Sequence, residues 1–321
     1  MFETIRLLGA ISRSEFILPN LGSLIMGLAW GATPSTSIAD LVVLIVLSFA
    51  IINLSSAIGA QANTLSDREL DSRDERKRQL VEATNSFGVN RLKKVLAIEF
   101  ALTLVLVFLF MLIQQKPILL ILWVVGISLG CAYSLEPARL KSRGWLAPIS
   151  LILVLAFFPV LFAYYSFTAA MNPFFLMSLT GLSLTVYGVI IPTEIRDYFG
   201  DKAMGIETLT VHVGLVKASL FAIVLLTTGA ALTMIAFLLE FTYTQHPLLS
   251  IVLVAIPVAA FVVLKEFKKL YSLSKEYMAS ESNSIGEEIV RLSAHNPQWI
   301  MIITQTYSII SIVLLVSKFL L

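Results

Sequence analysis

The sequence predicts an all-α protein, a polytopic bundle of transmembrane helices, from three observations. Of the 321 residues, 57% are hydrophobic and only 14% are charged, whereas ordinary soluble domains carry about 25% charged residues. The apolar residues are grouped in runs of about 20, the length that a helix needs to cross a bilayer. Lysine and arginine are concentrated in every second connection between these runs. Together these features exclude a soluble enzyme and a disordered chain, because disordered chains are polar and rich in charge.

Nine apolar runs are long enough to cross a membrane. Helices are required there because lipid offers no partners to free backbone groups. The first run is interrupted by Pro19 and Gly22, and only a few residues join the third run to the fourth. We expect one domain over residues 1–321. The predicted spans are 15–33, 39–63, 93–114, 117–135, 146–168, 173–194, 216–239, 247–265 and 299–320.

The distribution of lysine and arginine predicts the orientation in the membrane. The N-terminal segment and the second, fourth, sixth and eighth connections hold 21 of the 23 basic residues, and only Lys116 and Lys318 fall on the other side. Cytoplasmic loops are enriched in basic residues, so the N-terminus is predicted to be cytoplasmic and the C-terminus external. The long polar connections share the cytoplasmic side. We therefore expect an integral protein of the cell membrane whose active site faces the cytoplasm.

Charge balance and cysteine content narrow the function further. The net charge is +2, whereas a general nucleic-acid binder needs a basic face, so no nucleic-acid partner is expected. The single cysteine, Cys131, cannot form an internal disulfide, and no zinc-ligand spacing is present. The first apolar run lacks a signal-peptide cleavage pattern, so we expect it to be retained.

Two acidic motifs stand at the predicted cytoplasmic ends of the second and sixth spans, each spaced so that its side chains share one face of a helix. The first contains Asn63, Asp67 and Asp71, and the second contains Glu194, Asp197 and Asp201. Oxygen ligands without His or Cys suit Mg²⁺, which binds carboxylates together with substrate phosphates. We predict a metal-bridged diphosphate between the two motifs. The alternative is solvated charges paired with arginine, which we favour for Asp74 and Glu75.

Basic side chains lie close to the acidic motifs in the sequence. Arg139, Lys141 and Arg143 follow the fourth span, and Arg13 precedes the first. Such groups are suited to bind diphosphate oxygens and to stabilise diphosphate as a leaving group. The alternative for each is an ordinary positive charge of a cytoplasmic loop.

Taken together, these motifs resemble the UbiA superfamily of intramembrane prenyltransferases. Members carry Asn-x-x-x-Asp-x-x-x-Asp after the second helix, as at 63–71 here. The second motif, extended over 197–211, is similar to the longer signature after the sixth helix, and 133–141 is similar to the connection after the fourth. The sequence departs from many members at Thr64 and Glu194, where they have Asp, and it lacks proline in the arginine-rich strip after the first motif.

The resemblance implies a reaction and a role for each residue. A polyprenyl diphosphate donor would lose diphosphate with the help of two Mg²⁺ ions, and a lipophilic acceptor would attack the allylic cation within the membrane lipid. One Mg²⁺ would be bound by the first motif and the other by Asp197 and Asp201. The remaining residues would contact the substrate. They are Arg13, Arg139 and Lys141 at the diphosphate, Tyr133 with its ring towards the cation, and Glu194 of the second motif.

Alternatives to a transferase remain open at the level of sequence. A terpene cyclase or a prenyl diphosphate hydrolase would use the same ionisation without an external acceptor. A transporter is compatible with nine spans, although the acids are grouped at one face of the membrane. Neither the acceptor nor the prenyl chain length follows from the spacing.

Two further predictions concern helix packing and the last polar connection. Gly22, Gly27, Gly181 and Gly188 are small enough to let helices approach closely. The polar segment 266–298 is either a lid that orders over the substrate or a solvated connector.

Overall fold

The computed structural model describes residues 2–34, 37–72 and 77–320, and this part of the chain contains helices and no strands. Arg73, Asp74, Glu75 and Arg76, which include the acids that we expect to be solvated, lie outside the described residues. In chain order the helices are α1 (Phe2–Ile11), α2 (Ile17–Gly31), α3 (Ile38–Asp71), α4 (Arg78–Phe87), α5 (Val89–Gln114), α6 (Pro117–Ser134), α7 (Leu146–Phe167), α8 (Pro173–Ala203), α9 (Leu209–Val213), α10 (Leu215–Tyr243), α11 (Ala255–Ser280), α12 (Asn283–Ser293) and α13 (Asn296–Leu320).

The predicted membrane bundle is confirmed in its class. In the described chain, eight helices are long and apolar enough to cross a membrane. They are α3, α5, α6, α7, α8, α10, α11 with the 3-10 helix that precedes it, and the unit formed by α12 and α13. The first predicted span, 15–33, corresponds to α2, which has only 15 residues. The count of nine spans and the cytoplasmic N-terminus stay predictions.

Helix α2 is short but well packed. At 1.5 Å per residue it is roughly 22 Å long, which is less than the ~30 Å of a hydrocarbon core. It follows a left-handed turn at Arg13 and ends where Ala32 becomes extended. Its second half, from Leu24 onwards, is buried against α7 and α13.

Glycine contacts confirm the predicted close packing of helices. A Cβ atom on Gly181 of α8 would lie 2.7 Å from the carbonyl oxygen of Gly229 on α10. A Cβ atom on Gly27 of α2 would lie 2.6 Å from the backbone nitrogen of Tyr164 on α7, and Gly188 is similarly close to Leu226. Real Cβ atoms do not approach other atoms so closely, so these crossings require glycine.

Helices α3 and α8 continue beyond the spans that the sequence predicts. With 34 and 31 residues, both are longer than the hydrocarbon core requires. Both acidic motifs therefore lie on the last turns of long helices, as the helical spacing of their side chains predicts. The ends of these helices bring the motifs to one end of the bundle.

The two basic residues assigned to the external side both bind helix ends. Lys116 Nζ donates to the carbonyl oxygen of Tyr165 near the end of α7 at 3.0 Å. Lys318 Nζ donates to the carbonyl oxygen of Trp30 near the end of α2 at 3.1 Å. The last carbonyls of a helix carry partial negative charge. The exceptions to the basic-inside pattern thus have a local structural reason.

The polar segment 266–298 is helical rather than a loop. Its first part is the continuation of α11, and the rest forms α12 and the start of α13. Lys269 of α11 and Glu288 of α12 form an ion pair at 2.9 Å. A Cβ on Gly286 of α12 would be in van der Waals contact with Phe199 of α8, at 3.4 Å. The segment is therefore packed onto the helix that carries the second acidic motif.

Candidate active site

The first acidic motif is neutralised by the connection that follows α6. Asp67 and Asp71 are buried, with 7% and 5% of their surface exposed. Lys141 Nζ contacts the Asp67 carboxylate and lies 3.5 Å from Asn63 Oδ1. Arg139 approaches the other oxygen of Asp67 at 3.5 Å. The structure thus brings together the predicted acids of α3 and two of the predicted bases. Burial lowers the pKa of Lys141, against the opposing effect of Asp67.

Two serines fix α3 against α6 at this motif. Ser134 Oγ, at the end of α6, donates to Asn63 Oδ1 at 2.8 Å. Ser66 Oγ of α3 donates to the carbonyl oxygen of Ser134 at 2.7 Å. The amide oxygen of Asn63 is therefore held in place beside Asp67. Neither serine can be recognised as a site residue in the sequence, because a serine carries no signal of its partner.

Lys77 is a second cation at the motif, and nothing in its sequence position predicts a role for it. Its Nζ is 2.9 Å from Asp71 Oδ1. Burial disfavours its charged form, but the hydrogen bond to Asp71 and the charges of Asp71, Asp197 and Asp67 together raise the pKa of Lys77. The ammonium group therefore interacts with acids of both motifs.

The second motif lies on the last turns of α8, and hydrogen bonds hold part of it in position. Tyr187, two turns earlier on α8, donates to Glu194 Oε1 at 3.2 Å, and Thr210 of α9 donates to Oε2 at 3.2 Å. Both oxygens of Glu194 are thus engaged, which is the arrangement of a positioning group. Asp197 accepts a hydrogen bond from the neighbouring Arg196 at 3.2 Å. The Asp201 carbonyl accepts from Ile206 N at 2.9 Å, which shapes the turn towards α9.

Tyr133 lies between the two motifs. It stands in the last turn of α6, and its side chain interacts electrostatically with Asp67 of the first motif and with Glu194 and Asp201 of the second. Together with Lys77, it is within electrostatic range of acids of both α3 and α8. This electrostatic coupling is the central feature of the site.

Arg13, which the resemblance places at the diphosphate, pairs with a neighbouring acid in this structure. It is 41% exposed at the side chain, and its guanidinium pairs with Glu15 at 3.5 Å. Within the described residues, no contact joins it to either acidic motif. Arg143 donates to the carbonyl oxygen of Pro137 at 2.7 Å and so shapes the connection that carries Arg139 and Lys141.

The donor set of the two motifs consists of carboxylate and amide oxygens, which are the ligands of hard divalent cations. In the described part of the chain, no three acidic, histidine or cysteine side chains converge on one point closely enough to chelate an ion. Instead, amino groups of Lys141 and Lys77 hold Asp67 and Asp71. The residue types therefore fit a divalent cation, while in this structure Asp67 and Asp71 are paired with ammonium groups.

A gap lies between α3 and α6, one helical turn before the first motif. Ser55 of α3 accepts a hydrogen bond from Trp123 Nε1 of α6 at 2.9 Å, and Asn63 is joined to Ser134 as described above. Gly59 lies midway between Ser55 and Asn63 on the same face, and a Cβ atom there would meet nothing within 4 Å. The two helices touch on both sides of Gly59 and leave open space at it.

Comparisons with solved structures identify the fold. A structure described as that of digeranylgeranylglyceryl phosphate synthase in membranes is 17% identical, with a TM-score of 0.62 over 97% of this chain and 99% of that one. A UbiA homologue from Archaeoglobus fulgidus, bound to DMAPP and Mg²⁺, is 18% identical, with a TM-score of 0.62 over 93% and 99%. An apo UbiA homologue from Aeropyrum pernix K1 is 16% identical, with a TM-score of 0.60 over 91% and 96%.

A search of curated proteins finds no significant match. The sequence model of the UbiA prenyltransferase family matches residues 20–279, which is well over half of the chain and includes both acidic motifs, Tyr133 and the bases after α6. The chain is therefore an integral membrane protein that belongs to the UbiA prenyltransferase family.

Proposed function

We propose that this protein transfers a polyprenyl group from a polyprenyl diphosphate to a lipophilic acceptor within the membrane, with Mg²⁺. The observation that carries the proposal is the electrostatic coupling of Tyr133 and Lys77 to acids of both α3 and α8. Solvated loop charges would not be buried and paired with cations as Asp67 and Asp71 are. A structural relative bound to DMAPP and Mg²⁺ supports the same assignment.

Two sets of oxygen ligands are available for the metal. Asn63, Asp67 and Asp71 would hold one Mg²⁺, and Asp197 and Asp201 the other. Bound Mg²⁺ would neutralise the charge of the diphosphate and make it a better leaving group. Glu194, tied to Tyr187 and Thr210, would keep the second set in position.

The basic residues would then exchange a carboxylate for the substrate. Lys141, Arg139 and Lys77 all contact acids of the first motif, and the same donors suit phosphate oxygens. They would stabilise the negative charge that grows on the diphosphate as the allylic C–O bond breaks. The electron pair leaves with the diphosphate, and an allylic cation remains.

The acceptor captures the allylic cation inside a site formed by the membrane helices. The ring of Tyr133 would stabilise the cation through its face. A nucleophilic carbon or oxygen of the acceptor forms the new bond and then loses a proton. Exclusion of water by the membrane helices protects the cation from hydrolysis. The distribution of basic residues supports an active site on the cytoplasmic side of the cell membrane.

The proposal is tested with purified protein in lipid nanodiscs, supplied with a prenyl diphosphate, a panel of lipophilic acceptors and Mg²⁺. We expect diphosphate release together with a prenylated acceptor, and loss of both after chelation of the metal. Formation of a cyclic hydrocarbon or a free prenyl alcohol at the same rate without acceptor would replace the transferase by a cyclase or a hydrolase. Solute flux without diphosphate release would replace it by a transporter.

Lys77 provides a prediction that separates donor binding from chemistry. Lys77→Gln is expected to raise KM for the donor about tenfold with a smaller change in kcat, because a hydrogen bond to a charged group contributes about 1.5–3 kcal/mol. The same variant should reach half-maximal activity at a lower Mg²⁺ concentration, since Asp71 loses its ion pair. Steady-state titrations of donor and of Mg²⁺ measure both effects.

Lys275→Gln is the control, because Lys275 is an exposed lysine of α11 that lies over the ring of Tyr271 at 4.6 Å. It should leave both titrations unchanged. An unaltered donor KM in Lys77→Gln would remove Lys77 from the diphosphate site.

The gap at Gly59 leads to a prediction about donor length. Gly59 lies one helical turn from Asn63, further from the acidic end of α3, where a prenyl tail would extend from the diphosphate. Gly59→Leu is expected to lower kcat/KM about tenfold for long donors and to spare the shortest, since the added side chain fills the open space. Initial rates over a series of donor lengths measure the effect.

Gly130→Leu on α6 is the comparison. A Cβ atom at Gly130 already makes ordinary contact with Val154 at 3.5 Å, so this variant fills no open space and its effect should not depend on donor length. An equal loss for all donor lengths in Gly59→Leu would show that the gap does not hold the tail.

A further inference from the structure

A proline interrupts the hydrogen bonding of α8 just before the second acidic motif. Pro192 lies inside the helix, where it has no N–H to donate to the carbonyl oxygen of Gly188, four residues earlier. The missing hydrogen bond weakens a helix and allows it to bend at that point. The turns beyond Pro192 carry Asp197 and Asp201, so the direction of these acids depends on contacts with other helices.

One such contact is a buried hydrogen bond directly after the proline. Asn296, the first residue of α13, has 4% of its surface exposed, and its Nδ2 donates to Thr193 Oγ1 of α8. Thr193 lies one helical turn before Asp197, on the same side of α8. Within the described part of the chain, Asn296 Oδ1 has no partner, so the bond to Thr193 is what holds this amide.

A second contact supports α8 from behind the acids. Phe199 is two residues from both Asp197 and Asp201, so it lies on the opposite side of the helix. Its ring meets the ring of Tyr277 of α11 edge to face, with 5.2 Å between the centroids, and it lies close to Gly286 of α12. The helices α11 and α12 therefore pack on the face of α8 that points away from the motif.

The helices that support α8 are themselves fixed to the bundle. Ser274 of α11 is fully buried and hydrogen-bonded to Ser219 of α10, with 3.0 Å between the hydroxyl oxygens. The ion pair of Lys269 and Glu288 joins α11 to α12. A lid that opens and closes is expected to have few buried contacts, so the segment 266–298 is built as a support for α8.

We propose that Asn296 is a positioning residue for the second set of metal ligands, and that it directs Asp197 and Asp201 through Thr193. The inference rests on the proposed function, because Mg²⁺ is what the two acids would hold. Mg²⁺ demands ligands in near-ideal positions, and groups that orient the ligands affect metal affinity although they do not touch the metal. Loss of the hydrogen bond should therefore lower metal affinity.

The test measures Mn²⁺ binding to the purified full-length protein in detergent, without donor, by electron paramagnetic resonance. We expect the unaltered protein to bind two ions. Thr193→Val keeps the shape of the side chain and removes the hydroxyl, and it should raise the Kd of one ion about fivefold, the change that corresponds to one neutral hydrogen bond. Thr193→Ser retains the hydroxyl and should keep the affinity of the unaltered protein.

Asn296→Leu removes the other partner of the same hydrogen bond and should match Thr193→Val. The double variant should bind Mn²⁺ no more weakly than either single variant, because two substitutions that remove one interaction are not additive. Should Asn296→Leu impair folding, the comparison of valine with serine at Thr193 decides.

Thr185→Val is the matched control. Thr185 also joins α8 to α13, with its hydroxyl 3.3 Å from that of Tyr307, but it lies before Pro192. A general loosening of α8 from α13 would affect both variants, whereas the proposal expects both Kd values to be unchanged in Thr185→Val. An equal rise of Kd in Thr185→Val, or an unchanged Kd in Thr193→Val, would overturn the positioning role and leave the proposed function intact. Absence of Mn²⁺ binding by the unaltered protein would contradict the proposed function, and this inference with it.

Discussion

Replacing Asp67 or Asp197 by asparagine is expected to lower kcat/KM for the prenyl donor about a thousandfold. A bound metal ion stabilises developing charge by several kcal/mol, and each 1.4 kcal/mol is a factor of ten in rate. Asparagine keeps the size and one oxygen but removes the negative charge that would hold the metal. The measurement is diphosphate release and product formation in nanodiscs at saturating Mg²⁺.

The matched control for this pair is Asp40→Asn, the same substitution at the opposite end of α3. Asp40 accepts a hydrogen bond from Ser37 at the start of the helix, at 2.7 Å, and lies far from the motifs. Its variant should retain full activity. Full activity in Asp67→Asn would refute the metal site of α3. Loss in Asp67→Asn alone would restrict the metal to the first motif.

The second large effect concerns stability. Gly229→Ala is expected to lower the apparent Tm in detergent by about 2–5 °C, because overpacking costs about 1–3 kcal/mol. The added Cβ would lie 2.5 Å from the carbonyl oxygen of Gly181 and 2.6 Å from the backbone nitrogen of Thr185. Backbone atoms cannot turn away as a flexible side chain does, so α8 and α10 would have to separate.

Gly59→Ala is the control for the packing prediction, since it adds the same atom to the interior of a long helix where nothing lies within 4 Å. Alanine is the better helix former by about 1 kcal/mol, so its Tm should stay the same or rise. An equal fall in Tm in both variants would mean that replacement of any helical glycine lowers the stability, and that the crossing of α8 and α10 is not the cause. Thermal unfolding followed by circular dichroism compares the two.

Much of the fold could be predicted because the membrane imposes a simple rule on sequence. Apolar runs of about 20 residues form helices there, and the eight long helices correspond to predicted runs. The rule does not describe polar segments, so it missed that α11 continues to Ser280 and that α12 packs on α8. It also says little about α2, whose length depends on the turn at Arg13 and on burial against α7 and α13.

The acids of the site could be predicted, whereas most of their partners could not. Helical spacing places Asp67 and Asp71 on one face without any knowledge of the fold. Lys77 is one of several bases in a charged strip, and only the path of the chain shows that it meets Asp71. Likewise the partners of Glu194 come from a different turn and a different helix, a relation that spacing does not encode.

The shortness of α2 has a consequence for the surrounding bilayer. As the predicted first span, a helix of roughly 22 Å would be shorter than its neighbours, and lipids relieve such hydrophobic mismatch by thinning or by tilting of the protein. Ile17, Leu18 and Leu21 at its start are exposed apolar side chains, which acyl chains would then contact. Headgroups of the two leaflets would lie closer together on this flank, and a membrane-dissolved molecule that approaches there would cross less hydrocarbon than elsewhere around the protein.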